Sequence, residues 1–193
     1  IGAGLVDSMV ANYTATKKFR KKDDFTPGGI NNRRPDRAIM VYTNLVRRYF
    51  KNTVPIVIGG IEASLRRVVH YDFWSNKIRK SILFDSKADI LVYGMAEKTI
   101  VQLTKAIEKD KKEIMTNNTL ADIQGICYIS KEPRAGYIEL PTFEECKNDK
   151  LKFINMFHLF HHNNEPMISK GLYQLHDSRY LIQNPPQDYM KEE

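Results

Sequence analysis

The chain has 193 residues, 42% hydrophobic and 27% charged, and its 30 Lys and Arg against 23 Asp and Glu leave a net charge of +7. That length suits one cored domain with a small annex, and 19 Phe and Tyr with a mean hydropathy of −0.46 exclude wholesale disorder. No run approaches the roughly 18 apolar residues of a membrane span, residues 1–10 carry no secretory signal, and two cysteines, Cys127 and Cys146, cannot frame a disulfide scaffold. A cytoplasmic protein with reduced thiols and no membrane partner is the expectation. Ile1-Gly2-Ala3-Gly4-Leu5-Val6 reads as the end of a strand and a turn. Because it opens on Ile inside such a segment, the chain is expected to be an internal piece of a longer one. Asp7-Ser8-Met9-Val10 offers a cap and a short helix through about Tyr13. Residues 17–37 read as a loop, broken by Thr26-Pro27-Gly28-Gly29 and Asn31-Asn32.

From Pro35 onward, Ala38, Val41, Tyr42, Leu45, Val46, Tyr49 and Phe50 recur at helical spacing, with Asn52 as the exit. Val54-Pro55-Ile56-Val57-Ile58-Gly59-Gly60 and Ala88-Asp89-Ile90-Leu91-Val92-Tyr93-Gly94 are continuous apolar runs closed by glycine. Such runs suit parallel strands buried on both faces. Between them, residues 61–84 read as helix or mixed loop and helix, with Trp74, Ile78 and Ile82 on one side. An amphipathic helix over 97–109 and a third strand over 123–129, containing Cys127, complete a strand–helix alternation that predicts a parallel sheet with helical crossovers. Residues 142–163 read as one long helix, and strands either side of His176-Asp177-Ser178 as a hairpin ended by Asn184-Pro185-Pro186. The expected division is an α/β domain over 1–135 and a helix-and-hairpin extension over 136–193.

In an open parallel sheet, ligands meet the carboxyl ends of strands, where the next helix presents free N–H groups. Gly59-Gly60-Ile61-Glu62-Ala63-Ser64 and Tyr93-Gly94-Met95-Ala96-Glu97 occupy such places. Neither matches a dinucleotide fingerprint or a P-loop, so tight strand-to-helix turns are the favoured reading of these glycines from the residues alone. The charge is uneven: residues 17–37 hold eight basic against three acidic residues, and residues 61–87 six against three. Both segments follow a strand end and should share one sheet edge. A patch so concentrated would attract phosphate, RNA or an acidic partner; a solvated loop is the plainer reading and the favoured one. His158 and His162 stand at i and i+4, but with no third ligand evident a helix face outweighs a metal site.

The string Gly59-Gly60-Ile61-Glu62-Ala63-Ser64-Leu65-Arg66-Arg67, continued by His70-Tyr71-Asp72-Phe73-Trp74-Ser75 and Ile78-Arg79-Lys80-Ser81-Ile82-Leu83, resembles the YgiQ-type radical SAM proteins, a bacterial family. The likeness extends to Asp7-Ser8-Met9-Val10, Thr26-Pro27-Gly28-Gly29, Arg34-Pro35-Asp36-Arg37-Ala38, Asp85-Ser86-Lys87-Ala88-Asp89 and Asn184-Pro185-Pro186, and so covers essentially the whole chain. The resemblance implies a truncated flavodoxin-like, cobalamin-binding-type α/β sheet, lacking its first strands and followed in the full protein by a radical SAM barrel. That barrel's Cys-x3-Cys-x2-Cys triad would hold a 4Fe-4S cluster and S-adenosylmethionine (SAM). No such triad occurs here, so this chain is expected to hold no cofactor. The Asp-x-His-x-x-Gly loop that ligates cobalt is also absent, so cobalamin is not expected.

The resulting expectation is the N-terminal accessory region of a radical SAM enzyme of unknown substrate, not catalytic by itself, whose main partner is its own barrel. Candidate ligand-facing residues are Gly59, Gly60, Glu62, Ser64, Arg66, Arg67, His70, Tyr71, Trp74, Gly94 and Glu97. The alternative is an RNA- or nucleotide-binding module built on residues 17–37 and 61–87. An open strand edge near Gly2 would let the chain pair as a homodimer.

Overall fold

A computed structural model describes residues 1–51, 54–109 and 117–189. In chain order, the first half comprises β1 (Gly2–Ala3), α1 (Met9–Asn12), α2 (Ala38–Tyr49), β2 (Val57–Gly59), α3 (Gly60–Leu65), β3 (His70–Asp72), β4 (Lys77–Arg79), α4 (Ile82–Ser86) and β5 (Ile90–Val92). Then follow α5 (Ala96–Lys109), α6 (Asn117–Ala121), β6 (Ile126–Ser130), β7 (Ile138–Leu140), α7 (Phe143–Asn148), α8 (Lys150–His162), β8 (Leu172–His176) and β9 (Arg179–Gln183). The expected helix exit at Asn52 lies outside the described residues. Among the described residues, no helix is long and apolar enough to cross a membrane.

The fold is α/β, with an open seven-stranded sheet in the order β1-β2-β5-β6-β9-β8-β7. β1, β2 and β5 are mutually parallel, registered as Gly2↔Gly59 and Ile58↔Leu91. Their apolar runs are continuous because both faces are covered. Leu91 joins Ile58, Leu83, Cys127 and Leu181 in one core cluster. Its neighbours Ile90 and Val92 join Leu103, Ile126 and Ile182 in the other.

The sheet departs from the all-parallel expectation at β6, which pairs antiparallel with β5. The chain reaches β6 at the end of the sheet where β5 stops, the Gly125 carbonyl accepting from Tyr93 N at 2.9 Å, so β6 can only run back. The β8–β9 hairpin is part of the same sheet: β9 pairs antiparallel with β6 and β8. β7, which the sequence pattern does not announce, pairs parallel with β8 at the far edge.

Two helical readings also change. Residues 61–84 hold a short helix, an antiparallel β3–β4 ribbon and α4, so Trp74 sits in the ribbon's turn and not on a helix face with Ile78 and Ile82. The segment 142–163 divides at Asp149, whose extended backbone ends α7 while its carboxylate caps α8 by accepting from Leu151 N.

Candidate functional site

The carboxyl ends of β1, β2 and β5 lie together and open on an apolar cleft of about 620 Å³. Gly59, Gly60, Ser64 and Gly94 line it, with Ile61 and Ile100 on its rim about half exposed. A Cβ at Gly59 would come within 3.2 Å of the Val92 carbonyl oxygen, so the close approach of β2 to β5 sets that residue. Gly60 turns the chain from strand into α3 with φ +84°, a backbone conformation that side chains resist.

Behind the cleft, Glu62 and Arg66 form a knot with the N-terminal segment. Arg66 pairs with Glu62 at 2.5 Å and with Asp7 at 2.7 Å. Ser8 Oγ donates to the buried Glu62 carboxylate at 2.9 Å and accepts from Ala38 N. Trp74 Nε1 donates to Asp7 at 2.9 Å. Glu62, Arg66 and Trp74 thus bind α3, α1, α2 and the β3–β4 ribbon to one another, and none of them lines the cleft.

Arg67 is buried, 7% exposed, with its guanidinium between the rings of Tyr93 and Phe160 at 4.4 and 4.3 Å. It donates to the Ser64 carbonyl, Gln183 Oε1 and Asn164 Oδ1. All three acceptors are neutral, and burial lowers the guanidinium's pKa. His70 is half-buried with Nδ1 3.2 Å from the Val68 carbonyl, and burial pushes its pKa down to about 4. Tyr71 is exposed and donates to Asn76. Glu97 stands exposed in the first turn of α5, outside the cleft lining. The structure therefore separates the candidates into a lining group (Gly59, Gly60, Ser64, Gly94) and a supporting group around Glu62, Arg66, Arg67 and Trp74. The partners of the supporting group, Asp7, Gln183 and Asn164, are remote in sequence and carry no local signal.

The two basic segments meet. Arg37 donates to both carboxylate oxygens of Asp72 through its terminal nitrogens Nη1 and Nη2, at 3.2 and 2.6 Å, and Lys17 Nζ donates to the carbonyls of Phe73 and Trp74.

The residues present do not fit an iron–sulfur cluster. The chain has two thiols, on different elements and both buried, and desolvation pushes Cys127 up to about 12 and Cys146 up to about 11. A cluster needs thiolates, and more of them. Among the described residues, no group of three His, Cys, Asp or Glu could hold a metal ion.

This domain, an open α/β sheet with an apolar strand-end cleft, matches the Radical SAM N-terminal family over residues 1–193, and the chain belongs to that family. It is 55% identical to a UPF0313 protein of Fusobacterium nucleatum over all of its length and 33% of that relative. A UPF0313 protein of Thermotoga petrophila is 48% identical, over 97% of the chain and 32% of the relative, and one of Clostridium botulinum is 43% identical, over the whole chain and 30% of the relative. The chain thus spans about a third of the length of these curated relatives. No solved structure matches it.

Proposed function

We propose that this chain is the accessory N-terminal region of a radical SAM, iron–sulfur enzyme, and that its strand-end cleft faces the substrate side of that enzyme. The observation that carries the reading is the 620 Å³ apolar cleft at the ends of β1, β2 and β5, in a chain that belongs to the Radical SAM N-terminal family. In this reading the cluster and SAM sit in the remainder of the protein, where SAM supplies a 5′-deoxyadenosyl radical. This chain contributes an apolar wall, backbone groups at Gly59, Gly60 and Gly94, and the Ser64 hydroxyl. No histidine lines the cleft among the described residues, so the chain offers no imidazole to cobalt there.

The test is a bulky rim substitution in the full-length protein. Ile61→Trp and Ile100→Trp should leave cluster content and SAM binding intact while lowering SAM turnover. Lys131→Ala, at the opposite end of the sheet, should change neither. Unaltered turnover in both tryptophan variants would remove the cleft from the reaction.

A further inference from the structure

We propose that the surface built by residues 17–33 and the turn of the β3–β4 ribbon binds single-stranded nucleic acid, independently of the strand-end cleft. The first observation is charge that is positioned without being neutralised. Lys17, Lys18, Arg20, Lys21, Lys22 and Arg33 stand on one loop, and none of them makes an ion pair among the described residues; the ion pairs of this region belong to Arg34 and Arg37. Two of the six are instead held by carbonyl oxygens. Lys17 donates to Phe73 and Trp74 at 3.0 and 3.3 Å, and Arg20 Nε to Val10 and Tyr13 at 3.2 and 3.0 Å. Carbonyls fix where the cation sits and leave its charge available to phosphate.

The second observation is aromatic rings left in water among these cations. Phe25 is 88% exposed, Phe19 54% and Phe73 50%. Phe19 and Phe73 sit at the two ends of one ring cluster, through Tyr13 at 5.7 Å and Trp74 at 5.4 Å, with Tyr13 and Trp74 themselves 5.5 Å apart. A merely solvated surface gains nothing from three exposed phenylalanines, two on the loop and one on the ribbon turn. Interleaved cations and rings are what a single strand needs, since phosphates follow the charge and each base offers a face for stacking.

The third observation is that the loop is braced. Asp23 pairs with Arg34 at 2.7 Å and accepts from Thr26. Its backbone N–H donates to Gly29 O at 3.0 Å, and Asn31 Nδ2 donates to Arg20 O at 2.9 Å. A membrane-surface element would be an amphipathic helix with its apolar side laid flat; this segment is a pinned, irregular loop with cations interleaved among its rings.

The experiment is fluorescence anisotropy of a labelled 20-nucleotide oligouridine with the full-length protein across a potassium chloride series. Binding should weaken steeply with salt. The triple variant Lys18→Ala, Lys21→Ala, Lys22→Ala should bind about tenfold or more weakly and flatten the log–log salt slope by about two, at about 0.7 per phosphate contact on a single strand. Phe25→Ala should weaken binding about fivefold with the slope unchanged. All four positions are exposed, so thermal melts of both variants should match the parent protein. An affinity that neither variant moves would overturn the proposal, as would capture by phosphatidylserine vesicles without oligouridine binding.

Discussion

Arg67 donates its Nε hydrogen to Gln183 Oε1, 3.0 Å away and 116 positions along the chain. That bond ties the end of α3, directly behind the strand-end cleft, to the last strand of the sheet. The guanidinium is stacked between two rings and meets no carboxylate among the described residues. Its function is to hold α3, β9 and the segment after α8 in one arrangement.

Arg67→Ala should therefore lower the unfolding free energy by about 3 kcal/mol, because Ser64 O, Gln183 Oε1 and Asn164 Oδ1 lose their donor in a buried setting. Arg67→Lys should recover little of it, since an ammonium cannot reproduce the planar fork between two rings. Urea unfolding of the three proteins checks both. An alanine variant as stable as the parent would place Arg67 outside the framework.

Acid should weaken the fold in two separable pH ranges, with His176 and His70 acting in the upper one and Asp72 in the lower. His176 is 1% exposed and stacks on Phe84 with ring centroids 4.5 Å apart, and neither ring nitrogen finds a hydrogen-bond partner. Burial, aided by Lys80, pushes its pKa from 6.5 down to about 3. The unfolded chain then takes up the proton first, so stability falls as pH drops from 6.5 towards 3. Relative to the parent, His176→Phe should gain about 2 kcal/mol at pH 5 over its effect at pH 7.5. Asp72 works lower. Burial alone would raise its pKa, but hydrogen bonds from Arg37 and Ser75 outweigh that and hold it well below 3.8. Its contribution is complete above about pH 4 and lost as pH falls further, so Asp72→Asn should flatten only that lower limb. Urea midpoints between pH 2 and 7.5 separate the two.

Gly171 packs against the ring of Tyr137: a Cβ there would fall 2.1 Å from its Cε2. Tyr137 cannot easily yield, since its hydroxyl donates to Asn184 Oδ1 at 3.0 Å and Asn184 in turn donates to the carbonyls of Leu120 and Ile123. Gly171→Ala should cost about 2–3 kcal/mol, as overpacking does, readable as a lowered melting temperature. A neutral substitution would mean that the 137–184 bond is dispensable.

Much of this was legible from residue pattern. The apolar runs around Ile58 and Leu91 announce strands covered on both faces, and the spacing from Ala38 to Phe50 announces α2. Strand direction was not legible: nothing in Ile126–Ser130 distinguishes a strand running with β5 from one running against it. A three-residue edge strand such as Ile138–Leu140 is too short to show a period. The break at Asp149 hides inside an otherwise helical pattern. At the site, the glycine turns were visible, whereas Arg66 and Arg67 read as ligand-facing and instead support the framework behind the cleft. Their burial depends on Asp7, Gln183 and Asn164, which only the fold brings near.

β1 has β2 as its sole strand neighbour among the described residues. A second cavity of about 270 Å³, lined by Ile1, Leu5 and Tyr42, flanks it on the α2 side. Unprotected edges recruit strands, so the isolated 193-residue chain should self-associate with rising concentration, and a symmetric pair is the simplest closed form. Light scattering reads this directly; a monomer at the highest soluble concentration would contradict it.

In the proposed function, this chain serves a radical SAM reaction whose cofactors lie elsewhere in the protein. The most direct test is anaerobic reconstitution with iron and sulfide, in parallel on the full-length protein and on the isolated chain, followed by a SAM cleavage assay. The full-length protein should gain a 4Fe-4S chromophore and release 5′-deoxyadenosine, and the isolated chain should do neither. A stoichiometric cluster on the isolated chain, or a full-length protein that takes up no cluster and leaves SAM intact, would contradict the account.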